Sequence, residues 1–232
     1  MEKKVIGIIG GMGPLATSDL FKKIILNTDA KSDQEHIRVL IDNNTEIPDR
    51  TDSILHGGKS PLPELIKSAA LLWAMGAEIL VMPCNTAHYY HAELQKNIGI
   101  PILNMIDLTR AAILKSGAKR VGLLATEGTL RSGIYQSAFS GSGIEIITPT
   151  ESEGRVIGDL IYKGVKAGDR DYDVSSARGV MDAMLLRGAE IFILGCTELP
   201  PAMEIYGLNY RVCDPTMELA LGAIAAASGK TL

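Results

Sequence analysis

Short, unbroken apolar runs recur along this chain at the spacing of strands joined by crossovers. They cover residues 5–9, 37–41, 79–82, 102–104, 121–124, 144–147, 191–194 and 211–213. Alternation of apolar and polar positions would mark strands wet on one face. Continuous runs mark strands buried on both faces of a parallel sheet. Between them lie amphipathic segments of helical length, among them 61–75, 86–96, 151–166 and 175–187, with a last helix over 217–227. This βαβ rhythm predicts an α/β fold.

The pattern also repeats. Gly76-Ala77-Glu78-Ile79 leads to Cys84, and Gly188-Ala189-Glu190-Ile191 leads to Cys196, every matched pair lying 112 positions apart. Each copy follows a helical segment and precedes a short polar one. The runs Gly7-Ile8-Ile9 and Gly122-Leu123-Leu124 match at the slightly different offset of 115. Two similar lobes are therefore expected, each a parallel sheet flanked by helices, related by a pseudo-twofold with the site in the cleft between them. The first, residues 1–117, carries Cys84; the second, residues 118–216, carries Cys196; a C-terminal helix, 217–232, is expected to return to the first lobe.

Composition acts by exclusion. Of 232 residues 46% are hydrophobic and 22% charged, with both signs interleaved and a net charge of -4. No basic face is available for nucleic acid or an anionic membrane, so neither is expected as a partner. The opening apolar run is too short for a signal peptide, and the most apolar stretch, 69–83, is broken by Gly76 and Glu78. No bilayer-spanning helix and a cytoplasmic location follow as expectations. Three cysteines, an odd count, do not make a disulfide scaffold and are expected as free thiols.

In open α/β sheets, ligands bind outside the carboxyl ends of the strands. Cys84 and Cys196 both lie just past such an end, followed by Asn85-Thr86 and by Thr197. Thiols approaching one carbon from opposite sides suit removal of an α-proton from one face and its return to the other, which is racemisation of an amino acid. A thiol titrates near ~8.5, lower beside helix N-termini and polar donors, so one sulfur can be thiolate while the other keeps its proton. A helix beginning at Thr86 would aim N–H dipoles at Cys84, and Asn85, Thr86 and Thr197 can hydrogen-bond an α-carboxylate. Cys213 has no twin and is expected as a small buried residue.

Gly10-Gly11-Met12-Gly13-Pro14, Met82-Pro83-Cys84-Asn85-Thr86-Ala87-His88 and Gly195-Cys196-Thr197-Glu198-Leu199 resemble the signature segments of the aspartate/glutamate racemase family, its aspartate branch most closely. The resemblance implies two α/β lobes, an amino-acid substrate, no pyridoxal phosphate or other cofactor, no metal, and a homodimer. It implies Cys84 and Cys196 as the acid/base pair, with Met12, Asn85, Thr86, Thr126, Thr129, Thr197 and Glu198 around the substrate. Arg50 and Lys166 stand where such racemases bind the side-chain carboxylate. Glutamate racemases open with an Asp-Ser-Gly type loop and carry a His where Glu198 stands, so aspartate is expected ahead of glutamate. The rivals are a broad-specificity racemase for neutral or basic amino acids, a related dicarboxylate isomerase or decarboxylase, and a non-catalytic sensor of an acidic metabolite.

Other patterns invite other chemistry. Cys84-x3-His88 with His91 has the look of zinc ligands, yet only one segment qualifies, so no metal is expected. His88 is instead expected to support the helix after Cys84, and His91 to lie at the surface. Gly11-Met12-Gly13-Pro14-Leu15-Ala16 fits a dinucleotide fingerprint, but Asp42 comes later than the usual ~20 residues for a ribose acid. The loop is expected to line a small substrate site, with no NAD.

Overall fold

The computed structural model describes residues 3–228 and holds seven strands among them. They form two all-parallel sheets. The first contains β1 (Ile6–Gly10), β2 (Val39–Asn43) and β3 (Ile79–Val81) in the order β2-β1-β3. The second contains β4 (Arg120–Ala125), β5 (Glu145–Ile147), β6 (Ile191–Gly195) and β7 (Val212–Cys213) in the order β5-β4-β6-β7. The chain divides into two compact units: residues to Leu108 together with those from Thr216, and Thr109–Pro215. The division falls inside the helix Met105–Ser116, ahead of the 117/118 boundary read from the sequence. The last helix is Pro215–Ser228; residues 229–232 of the expected one lie outside the described residues. No helix among the described residues is long and apolar enough to cross a membrane.

Most of the unbroken apolar runs correspond to strands of the two sheets. Every residue of β1, β3 and β6 is buried, and all of β4 after Arg120. The edge strand β2 is wetter, and its Ile41 stays 41% exposed. In the first unit, helix Leu62–Ala74 turns Leu65, Ala69 and Leu72 onto a core that holds Leu80 and Cys84. In the second, helix Ser175–Leu186 turns Ala177, Val180, Met181 and Met184 onto a core that holds Phe192 and Cys196. Each fully buried side chain of this size stabilises by about 1.5–3 kcal/mol relative to an exposed one.

The sequence repeat has a structural cause. Gly76 and Gly188 close these two helices with φ of 100° and 97°, the left-handed region open to glycine. Ala77 then donates its N–H to Leu72 O and Ala189 to Met184 O, both at 3.0 Å, satisfying last-turn carbonyls. Next, Glu78 accepts the Val5 N–H on its carboxylate at 2.9 Å, and Glu190 accepts the Arg120 N–H at 3.1 Å. Each Gly-Ala-Glu-Ile thus caps a helix and clamps the start of the neighbouring strand.

The second matched pair is equally tight. Gly7 lies opposite Leu80 and Gly122 opposite Phe192. A Cβ on Gly7 would meet Leu80 Cδ2 at 2.6 Å; one on Gly122 would meet the Phe192 ring, with Cε1 2.6 Å away. Gly122→Ala is therefore expected to cost about 1–3 kcal/mol by overpacking. It would show as an earlier urea midpoint at unchanged slope, and a wild-type midpoint would refute the close approach.

Three expected elements differ. The run 102–104 is not a strand but a single bridge between Ile102 and Leu80. It is cut short because Asn104 Oδ1 accepts the N–H groups of Ile106 (2.9 Å) and Asp107 (3.3 Å), opening the next helix. The helix 86–96 is a 3-10 segment, Thr86–Tyr90, followed by α-helix His91–Lys96. His88 Nδ1 occupies the Cys84 carbonyl at 2.8 Å, so the His88 N–H turns to Asn85 O at 3.0 Å. The helix 151–166 is α-helical over Glu151–Asp159 and π-helical over Leu160–Val165, with the Lys166 N–H reaching back to Ile161 O at 3.0 Å.

Candidate active site

In the first unit Cys84 follows β3 through Met82-Pro83, its N–H donated to Met82 O at 2.8 Å. The thiol is buried in one cluster with Ile9, Met12, Ile47, Ala87 and Tyr90. Asn85 and Thr86, expected around the substrate, are buried beside it. The structure thus brings Met12, Cys84, Asn85 and Thr86 to one end of this sheet.

The loop after β1 owes its glycines to the chain itself. Gly11, at φ 92°, donates its N–H to Thr17 Oγ1 at 3.0 Å and approaches the Asn44 backbone so closely that a Cβ would lie 2.8 Å from Asn44 N. Close contact with the loop after β2 requires a glycine at position 11. Arg50 opens the helix Arg50–His56, whose Asp49 cap accepts the Asp52 N–H at 2.7 Å. Its Nη1 donates to Ile47 O (3.2 Å) and Pro48 O (3.0 Å), while its Nε is buried without a hydrogen-bond partner. The guanidinium is held by backbone carbonyls of the loop that also supplies Ile47 to the Cys84 cluster.

His88 is a supporting residue. Fully buried, it accepts the Met105 N–H on Nε2 at 3.0 Å, so the ring proton sits on Nδ1 and is donated to Cys84 O. Burial lowers its pKa from 6.5 to about 4, with the nearby His91 adding to the effect, so the ring is neutral near pH 7. Both nitrogens are engaged with backbone, as a zinc ligand's would not be. His91, expected at the surface, is half-buried because its Nε2 meets Ile102 O at 2.8 Å and its ring stacks on His88. No three His, Cys, Asp or Glu side chains converge as metal ligands would among the described residues.

In the second unit Cys196 directly follows β6, and Thr126 directly follows β4, whose Ala125 pairs with Gly195. The two therefore emerge side by side. Thr126 caps the helix Glu127–Ser132: its Oγ1 accepts the Thr129 N–H at 3.3 Å and lies 3.2 Å from Thr129 Oγ1. The Cys196 thiol donates to Glu198 Oε2 at 2.9 Å, and Thr197 Oγ1 donates to the same oxygen at 3.3 Å. Lys166, which follows the π-helical turn, holds Glu198 Oε1 at 3.2 Å. Burial first, and then the Glu198 carboxylate, push the Cys196 thiol well above its usual range, opposed by a hydrogen bond from the Glu198 backbone and by the Lys166 charge. One thiolate and one protonated thiol were the expectation; at Cys196 burial and the carboxylate favour the protonated form.

Sequence reasoning placed Glu198 around the substrate and missed its bond to Cys196, although the Cys-x-Glu spacing was a usable signal. It also missed Tyr135, fully buried, whose phenol is raised by desolvation and by the neighbouring Cys213, Asp214 and Cys196, against a hydrogen bond from Thr109. Cys213 is buried at the end of β7, as expected.

The sequence pattern of the Asp/Glu/hydantoin racemases matches residues 9–220. The chain belongs to that family. Among solved structures, an aspartate racemase from Picrophilus torridus is 33% identical with a TM-score of 0.86, covering 99% of this chain and 96% of its own. An aspartate racemase homologue from Pyrococcus horikoshii OT3 is 27% identical with a TM-score of 0.78, covering 98% and 100%. The broad specificity amino-acid racemase RacX of Bacillus subtilis is 26% identical over 95% of this chain and 97% of its own length. Family and fold thus agree with the resemblance read from the three glycine- and cysteine-centred segments.

Proposed function

We propose that this chain interconverts the L and D forms of an acidic amino acid, aspartate first and glutamate second, without a cofactor. Cys84 and Cys196 are the acid/base pair. One sulfur, as thiolate, takes the α-proton; the electron pair spreads into the α-carboxylate; the other sulfur, as thiol, gives a proton to the opposite face. The roles are then exchanged. The observation that carries the proposal is the duplicated thiol just past a strand end, each copy buried and each a member of a hydrophobic core of its own unit. Asn85, Thr86 and Thr197 are the donors for the α-carboxylate as charge builds there. Thr126 and Thr129 supply hydroxyls at the neighbouring strand end, and Met12 an apolar wall.

Aspartate is favoured by the likeness to the Picrophilus torridus enzyme and by two cations suited to a second carboxylate. Arg50 brings a guanidinium fixed by loop carbonyls; Lys166 brings an ammonium already trained on a carboxylate, that of Glu198. Arg50→Ala is expected to lower aspartate turnover about 10- to 100-fold, the loss of a charge-assisted hydrogen bond of about 1.5–3 kcal/mol, and to leave neutral amino acids nearly unaffected. A second reading, broad specificity, draws on the Bacillus subtilis relative. Chiral chromatography of aspartate, glutamate, alanine and lysine with both proteins decides between them. Equal loss on all four substrates would remove Arg50 from substrate recognition, and faster turnover of alanine or lysine by the unaltered protein would favour the second reading.

A further inference from the structure

The helix Arg50–His56 carries a cation of the candidate site, yet none of its residues is buried. Ile54, partly buried, packs against the cluster around Cys84. A polar tie joins the same two places: the Tyr90 hydroxyl donates to Ser53 Oγ at 2.9 Å, across 37 positions of sequence. Tyr90 belongs to the Cys84 cluster, as does Ala87 three positions before it. Side chains three apart share a face of a 3-10 turn, so the segment Thr86–Tyr90 turns both onto that core. The His88 bond to the Cys84 carbonyl, which sets this turn, thus also aims the phenol. Ser53 lies one turn after Arg50, on the same face of its helix. Loop carbonyls engage Arg50 only at Nη1, so the place of the guanidinium depends on the helix that bears it.

Given the racemisation of an acidic amino acid, on which this inference rests, we propose that Tyr90 is a positioning residue whose hydrogen bond to Ser53 fixes the Arg50 guanidinium relative to the Cys84 sulfur. The second carboxylate of the substrate and the proton on its α-carbon are then met in register by groups of one unit. A hydrogen bond suits this task because it sets direction as well as distance. Apolar contact through Ile54 alone would let the short helix slide. An arginine grips a carboxylate well only when its planar fork is already in place. The link therefore serves recognition of the second carboxylate, not the proton transfer itself.

The test combines aspartate kinetics with amide hydrogen exchange read by mass spectrometry. Tyr90→Phe keeps the ring in the core and removes only the hydroxyl. Ser53→Ala removes the acceptor with a better helix former, so a weakened helix cannot account for its effect. Each is expected to raise KM for aspartate about fivefold, the worth of one hydrogen bond between neutral groups, with kcat held within about twofold. The double variant should lose no more than either single one, and Tyr90→Phe should cost nothing further in an Arg50→Ala background. Amides of residues 50–56 should exchange several-fold faster in both single variants, while those of helix Leu62–Ala74 stay unchanged. If Tyr90→Phe does not fold, Ser53→Ala carries the same arms. An unchanged KM, unchanged exchange over 50–56, or a fivefold loss that persists without Arg50 overturns the proposal. Exchange needs no substrate, so a protein that racemises nothing would refute the reaction, and this inference with it, while exchange still reports whether Tyr90 holds the helix.

Discussion

Cys84→Ala and Cys196→Ala should each lose racemisation by about 10²- to 10⁴-fold, the contribution of one positioned acid or base. The two losses are not expected to add, because inversion needs both sulfurs in the same turnover. What remains should differ between the variants. With one thiol gone, the other can still remove the α-proton from the enantiomer that presents it and return a solvent deuteron to the same face. Each variant is then expected to exchange one enantiomer with retention, and the two should choose opposite enantiomers. Chiral analysis of the deuterated amino acid separates these cases. A variant that keeps inverting at the wild-type rate would remove that cysteine from the chemistry.

The second large effect is on stability in acid, through His88. Its pKa is about 4 in the folded chain against 6.5 without the fold. Between these values the unfolded chain holds the extra proton, so stability is complete above 6.5 and is lost as the pH falls toward 4. A difference of this size corresponds to about 3 kcal/mol. The cause is a ring buried with both nitrogens on backbone: protonating Nε2 would set an N–H against the Met105 N–H. Glu153 is depressed to about 2, chiefly by its bonds to Arg187, and acts lower, as pH falls from about 4.5 through that value. The span above pH 4.5 therefore reports on His88. His88→Gln is expected to be less stable at pH 7 but to show a flatter decline toward pH 4.5 in urea midpoints. Parallel declines would mean that His88 is not the titrating group.

Much of the fold was legible because parallel strands covered on both faces must be apolar on both. β1, β3, β4 and β6 stood out as continuous runs. The repeat around Gly76 and Gly188 was legible because a helix cap and a strand clamp need the same residue types wherever they occur. What escaped depends on contacts made only after folding. The 3-10 start at Thr86 arises because the His88 side chain competes for the Cys84 carbonyl. The π-helical turn before Lys166 contains Gly164, whose bare backbone Tyr172 and Tyr206 approach, with Tyr206 Oη 3.1 Å from where a Cβ would stand. At the candidate site, the matched strand-end position of Cys196 was readable from its twin, but the surroundings of its thiol were not. Burial first, and then a carboxylate two residues on that is itself buried against Lys166, push the thiol upward.

The most direct measurement is proton NMR of L-aspartate incubated in D2O with the purified protein and no added cofactor, chirality being read in parallel. The two-thiol account predicts that the α-proton signal decays while deuterated D-aspartate accumulates, and that blocking both thiols with iodoacetamide stops the two together. An α-proton that persists with aspartate, glutamate and neutral amino acids alike, or inversion that continues after both thiols are alkylated, would contradict it.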